Sequence, residues 1–204
     1  ATDLGALGSE IAEVTSNGGL ACLPCGGRYR IVTDVTNDAA VMELMQAKRR
    51  VKATPALLFV GGEHHLLQVS VDLDPLASEL ARSFWPMPLT IRVRPGDGIP
   101  RRVLKQLGGK KSRIGVRVPA DPLAKIVVET IDRPLIVSSA NPEKKAGATS
   151  PAQVRKNFGS RLDIFVDRGD LAPEPLSTVV DVVDGRLVIE RSGAISNEDL
   201  ARYL

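Results

Sequence analysis

Aromatic residues are scarce: one Trp, two Tyr and four Phe among 204 residues. That supply is too thin for a platform on which the bases of a single-stranded nucleic acid could stack. Cysteine is scarcer still. Cys22 and Cys25 are too few for a secreted disulfide framework. A chain of this length needs no such staple, since it can bury roughly 70% of its unfolded surface. No apolar run approaches the ~20 residues of a membrane span, and no charged-then-apolar signal segment opens the sequence. A nucleotide P-loop, a G-x-S-x-G nucleophile elbow and a metalloprotease helix are also missing. These absences lead to the expectation of a soluble, cytoplasmic protein in a reducing compartment, with no membrane partner.

What is present is ordinary globular composition, 43% hydrophobic and 25% charged, which excludes a disordered chain. The net charge is only +3, but its distribution is uneven. Lys48-Arg49-Arg50 and Lys52 form one basic cluster; Arg101-Arg102, Lys105, Lys110-Lys111 and Arg113 form a second. Such clusters are commonly solvated faces, and otherwise suit an anionic ligand such as a nucleotide or an RNA backbone.

Along the chain, helical and strand periods alternate. Leu4, Leu7, Ile11 and Val14 recur at helical spacing, and Asn17-Gly18-Gly19 stops that helix. Leu20 to Pro24 reads as a short buried strand. Thr36 is placed to cap a helix carrying Val41, Leu44 and Met45, which delivers Lys48 and Arg50 near its end. Ala56 to Val60 reads as a covered central strand. Further strands are expected at Leu89 to Val93, Ile114 to Val118 and Leu135 to Val137, with helices after Pro75, from Pro100 and over Pro122 to Ile131. Ser150-Pro151-Ala152-Gln153 carries helix-start signals. Ser177 to Val183 and Arg186 to Arg191 flank Asp184-Gly185, a hairpin turn, and Ser196 and Asp199 box a last short helix. The pattern predicts an α/β fold: one domain over residues 1–204, a twisted open mixed sheet with helices packed on it and a basic concave face.

Chemistry is expected first at the loop Ser138-Ser139-Ala140-Asn141, directly after an apolar strand. In open α/β sheets ligands sit beyond the carboxyl ends of strands. Two hydroxyls and an amide there can bind phosphate oxygens or a carboxylate, although ordinary turns use the same residues. Lys48 and Arg50, two residues apart just past a helix, can converge on one anion. Cys22-Leu23-Pro24-Cys25 has redox spacing, yet a thioredoxin-type motif needs its first cysteine at a helix N-terminus. Here Cys22 falls in a strand and Cys25 opens a Gly-Gly turn, with the two side chains on opposite faces. His64-His65 could complete a metal site with the cysteines only from a predicted turn after Gly61-Gly62. Neither redox nor metal chemistry is expected.

Several segments then fall into a family order. Gly18-Gly19-Leu20 leads a strand to Pro24, and five residues after Arg50 comes Pro55, opening an apolar strand. Phe84-Trp85-Pro86-Met87-Pro88-Leu89-Thr90, Ile114-Gly115-Val116-Arg117-Val118-Pro119 and Ser138-Ser139-Ala140-Asn141 follow. Ser177-Thr178-Val179-Val180-Asp181 and Arg191-Ser192-Gly193-Ala194-Ile195 complete the series. The chain thereby resembles the YrdC-like family, whose enzymatic members are threonylcarbamoyl-AMP synthases and whose motifs read K-x-R-P-x-x-x-P-L, F-W-P-G-P-L-T, G-V-R-V-P, S-A-N, S-T-V-V-D and R-x-G-A-I.

The resemblance implies that L-threonine, bicarbonate and ATP give threonylcarbamoyl-AMP and pyrophosphate, for tRNA modification. Such a nucleotidyl transfer depends on positioning and on neutralising phosphate charge. It implies Lys48 and Arg50 as the catalytic phosphate clamp, with Ser139, Asn141 and Arg191 completing the nucleotide site. Tyr29, Arg117 and Ser177 would bind the amino acid, and Mg²⁺ would accompany ATP. The additional C-terminal domain of some family synthases is not expected.

One segment departs from the family. P-T-D-T-x-Y-G-L is here Pro24-Cys25-Gly26-Gly27-Arg28-Tyr29-Arg30-Ile31, without its two threonines and its carboxylate. Val51, Thr54 and Met87 replace a proline, a lysine and a glycine. Three readings follow. The chain is a synthase with an unusual amino-acid loop; or an ATP- or phosphate-binding paralogue whose substrate is another small carboxylate, more anionic because of Arg28 and Arg30; or a non-catalytic protein binding tRNA or double-stranded RNA through its basic clusters. On the first reading, restoring Thr, Asp and Thr at positions 25, 26 and 27 would recover threonine use.

Overall fold

A computed structural model describes residues 3–48, 56–70, 73–109, 112–141 and 149–204. Helix α1 (Leu4–Ser16) begins where the Asp3 carboxylate accepts the amides of Gly5 and Ala6. The chain then forms β1 (Ala21–Pro24) and β2 (Tyr29–Asp34), an antiparallel pair. Next come α2 (Asp38–Ala47), β3 (Leu57–Phe59), α3 (Glu63–Val69) and α4 (Pro75–Phe84). They are followed by β4 (Leu89–Val93), α5 (Arg101–Gln106), β5 (Ile114–Arg117) and α6 (Pro122–Ile131). The last elements are β6 (Leu135–Ser139), α7 (Pro151–Phe158), β7 (Ile164–Phe165), β8 (Thr178–Val183), β9 (Arg186–Arg191) and α8 (Asn197–Leu200).

The strands make one mixed sheet in the order β7-β1-β2-β6-β3-β5-β4-β8-β9. The pairs β1–β7, β3–β5 and β4–β8 are parallel and the others antiparallel, so the expectation of a mixed sheet holds. Asp184 and Gly185 both take positive φ, 51° and 72°, the conformation a tight two-residue hairpin demands. Ser196 and Asp199 form the expected capping box.

Local readings differ in five places, one of them the short strand β7, which was not expected. Strand β2 was not expected, because Arg30 and Asp34 interrupt its apolar run. The predicted turn at His64-His65 is the first turn of α3, packed on the core through Leu66 and Val69. Asn37, not Thr36, caps α2, because the Thr36 hydroxyl is held by Asp34 at 2.7 Å. Ser150 precedes α7 but makes no side-chain cap bond.

The two faces of the sheet are treated differently, and this positions the site. One face carries Ile31, Ile136, Leu58, Ile114, Val116, Leu89, Ile91, Val93, Val180 and Val182, packed into a single core with residues of α2, α4, α5, α7 and α8. On the other face, Ala21, Leu23, Val32, Leu135, Val137 and Phe59 pack against α1 and α6. These two helices meet closely: a Cβ at Gly8 would stand 2.3 Å from Ile126 Cγ2. The remainder of this second face, across β5, β4, β8 and β9, lies beyond them.

Candidate functional site

That remaining area is a cavity of about 400 Å³ lined by alternate strand residues. Because side chains two apart on a strand share a face, Arg28 and Arg30, Gly115 and Arg117, Thr90 and Arg92, and Ser177 and Val179 all reach it. Ser139 and Arg191 join them from the ends of β6 and β9. Gly115 is required here: an added Cβ would come within 2.8 Å of Thr90 Cγ2.

Two hydrogen-bonded groups organise the rim. The Arg191 guanidinium donates to the Ser177 carbonyl (2.8 Å) and hydroxyl (3.2 Å), and the Ser177 hydroxyl meets Thr90 Oγ1 at 2.9 Å. Opposite them, β2–β6 pairing sets Arg30 directly across from Ser139. The Ser139 hydroxyl bonds the Asn141 side-chain oxygen, and Lys48 Nζ donates to the backbone carbonyls of both residues. Lys48 is buried, with its ammonium 5.8 Å from the centre of the Phe158 ring. It therefore braces the Ser-Ala-Asn loop, and it is not among the described residues that line the cavity. Arg50 lies outside the described residues.

The electrostatics are one-sided. Among the described residues, no carboxylate lines the cavity. Arg92 is paired with Glu190 at 2.7 Å, and the Nε atoms of Arg28, Arg92 and Arg117 are buried without a hydrogen-bond partner. Burial lowers the Arg30 pKa to about 10, and the neighbouring Arg117 and Arg28 cations push the same way. Arg117 is lowered chiefly by burial, with Arg191 and Arg28 adding to it; its guanidinium rests over Phe59 at 5.2 Å.

The departing segment is a rebuilt turn. Cys25 N–H donates to the Arg28 carbonyl at 2.9 Å, and Gly26 and Gly27 have φ of 63° and 65°. A Cβ at Gly27 would stand 2.3 Å from the Glu174 amide nitrogen, so a threonine there has neither the conformation nor the space. Restoring Thr-Asp-Thr is therefore not the simple repair expected. Tyr29, expected at the substrate, is fully buried; its hydroxyl donates to the Gly169 carbonyl (2.7 Å) and accepts the Arg168 amide (2.9 Å). It ties down the loop beyond β7. A second recess of about 230 Å³ shares Arg117 with the cavity and is lined by Cys25, Gly26, Asp121 and Glu174, among others.

Neither cysteine is arranged for redox work, since Cys22 and Cys25 lie in different cores. His64 and His65 sit with Asp132 instead of the cysteines. His65 Nδ1 accepts the Gly61 amide (2.8 Å), so Nε2 carries the proton and donates to Asp132 (3.0 Å), which is the wrong tautomer for a metal ligand at that nitrogen. Mg²⁺ wants carboxylate oxygens, and the described cavity residues supply none; an ion arriving on nucleotide phosphates would be part of the substrate. In the basic clusters, Arg113 is committed to Asp181 at 2.6 Å and Arg102 faces Asp38 at 3.6 Å.

Of the residues expected at the site, Ser139, Arg191, Arg117 and Ser177 are brought to one cavity, and Asn141 is joined to it through Ser139. Arg92 and Thr90 were missed as lining residues, although the alternation of β4 carries the signal. The fold agrees with solved structures. Pyrococcus abyssi Sua5 complexed with L-threonine superposes with a TM-score of 0.85 at 25% identity, covering 98% of this chain and 58% of that one. Escherichia coli YciO gives 0.80 at 21%, covering 98% and 94%. By sequence, the threonylcarbamoyl-AMP synthase of Pyrococcus abyssi is 26% identical over 187 residues, 92% of this chain and 54% of that protein. The chain thus spans little more than half the length of that relative. The Sua5/YciO/YrdC family model, described as telomere recombination, matches residues 13–193, and with that match running from α1 to the strand of Arg191, the chain belongs to the Sua5/YciO/YrdC family.

Proposed function

We propose that this chain binds ATP and activates the carbamate of a small amino acid as a carbamoyl-adenylate, serving tRNA modification. The amine nitrogen adds to bicarbonate carbon with loss of water. A carbamate oxygen then attacks the α-phosphorus, its bond to the β-phosphate bridging oxygen breaks, and pyrophosphate leaves. The observation that carries this reading is the convergence of Ser139, Arg191, Arg117 and Ser177 on one open cavity. The relative named threonylcarbamoyl-AMP synthase and the threonine complex of a related structure support it.

In this reading the Ser139–Asn141 loop and Arg191 receive the nucleotide, and Arg117 with Ser177 receives the amino-acid carboxylate and the carbamate. Planar guanidinium forks suit both anions, and fixed donors need little reorganisation as charge shifts towards pyrophosphate. Lys48 supports this site by holding the loop through the Ser139 and Asn141 carbonyls. Pyrophosphate release, with the amino acid and bicarbonate omitted in turn, tests the proposal. Release requiring both supports it; release with ATP alone, or none with any amino acid, contradicts it.

A further inference from the structure

We propose that the amino acid accepted here carries an anionic side chain, and that Arg28, just before β2, and Arg30, on it, recognise it beside Arg117. This deepens the reading above and rests on it. Compared with the family segment, this turn has lost a carboxylate and carries Arg30 in place of the motif's glycine, with Arg28 at the motif's variable position. Both face the cavity from alternate positions. Their hydrogen bonds within the protein are few: Arg30 Nε donates to the Cys25 carbonyl at 3.0 Å, and Arg28 Nε has no partner. Arg117, only 7% exposed, also leaves its Nε without a partner.

Buried donors without acceptors are costly, and like charges brought together out of water repel. The depressed pKa of Arg30 reflects that crowding, with burial as its largest cause. Among the described residues Glu190 is paired with Arg92 and no carboxylate lines the cavity, so a bound anion would offset Arg28, Arg30 and Arg117. With the nucleotide at the Ser139 loop and Arg191, and the amino-acid carboxylate and carbamate at Arg117 and Ser177, a side-chain anion would answer Arg28 and Arg30, whose guanidinium forks face the same cavity.

The second recess explains why this anion belongs to an amino acid. Arg117 lines both spaces, and across it stand Asp121 and Glu174. Burial raises the pKa of Asp121 and the Glu174 charge adds to the rise, so an ammonium group there would be welcome. A zwitterion with an additional negative charge matches this arrangement of acids on one side and arginines on the other. A side-chain carboxylate and a side-chain phosphate share the required chemistry.

Calorimetric titration of the full chain with L-glutamate, L-aspartate, L-phosphoserine and L-threonine tests the proposal. At least one acidic amino acid should bind about tenfold tighter than threonine, and the tightest arm names the side-chain anion. Arg30→Gly and Arg28→Ala should each weaken that acid by roughly 10- to 150-fold, the loss of one charge-assisted contact, while ATP affinity stays unchanged. Arg28→Ala keeps the test open should Arg30→Gly fail to fold. Threonine binding as tightly as every acid, or no acid binding, would overturn the proposal. So would an equal loss of ATP affinity in the variants, which would place these arginines on the nucleotide. Selective acid binding without pyrophosphate release would sink the proposed reaction and leave this inference standing.

Discussion

Tyr29 shows how one residue can keep a family position and serve the scaffold. Its hydroxyl holds two backbone groups of the 168–169 loop, and its ring meets Phe165 edge-on at 5.3 Å. Tyr29→Phe leaves the Arg168 amide and Gly169 carbonyl unanswered and should cost about 1–3 kcal/mol, read as a lower urea midpoint. Pyrophosphate release at saturating substrate should change little, because the hydroxyl is not in the cavity. The cysteines make a second residue-scale prediction. Burial pushes the Cys22 thiol up to about 12 and also raises Cys25, against the opposing charges of Arg117 and Arg30. A thiol raised in the folded state favours folding equally at all pH values below its unfolded pKa. As pH climbs from about 8.5 towards 12 the unfolded chain loses protons first, and stability falls. Denaturation midpoints should therefore decline between about pH 8 and pH 10, and a Cys22→Ala, Cys25→Ala chain should decline less. Arg117, Ser177, Ser139 and Arg191 were legible because motif order carries them. The hydroxyl direction of Tyr29 and the back-bonding of Lys48 were not, since both depend on loops distant in sequence.

At the scale of elements, strand alternation builds the site, and Gly115 makes room in it. Gly115→Ala would press on Thr90; overpacking of this kind should cost about 1–3 kcal/mol and weaken ligand binding together with stability. Calorimetry and urea denaturation on the same variant read both effects. The helix starts at Pro75, Pro122 and Pro151 were legible because proline at the first turn is a local signal. So was the Asp184-Gly185 hairpin. Strand β2 was not, because its polar positions are answered by tertiary partners: Thr33 donates to the Gly19 carbonyl at 2.8 Å, and Asp34 meets Arg133 at 2.7 Å. The rewritten turn escaped for a similar reason. Gly26 and Gly27 read as lost hydroxyls, whereas their positive φ and the approach of Glu174 make them structural requirements. Gly27→Thr should therefore destabilise the chain and fail to improve threonine binding, by denaturation and calorimetry on one sample.

For the whole molecule, the candidate site follows from unequal coverage of a single sheet. One face is sealed by helices, and α1 with α6 seals part of the other, leaving an arginine-lined area on β5, β4, β8 and β9. Of the described basic residues, Lys48 and Arg113 are held by protein partners, whereas Arg101, Arg102 and Lys105 lie exposed on α5. Calorimetric titration of ATP into the wild-type chain, Arg191→Ala and Arg102→Ala tests the central claim that this open area is the nucleotide site. ATP should bind the wild type, bind roughly 10- to 150-fold more weakly to Arg191→Ala, and be indifferent to Arg102→Ala. Equal affinity in all three proteins would contradict the account.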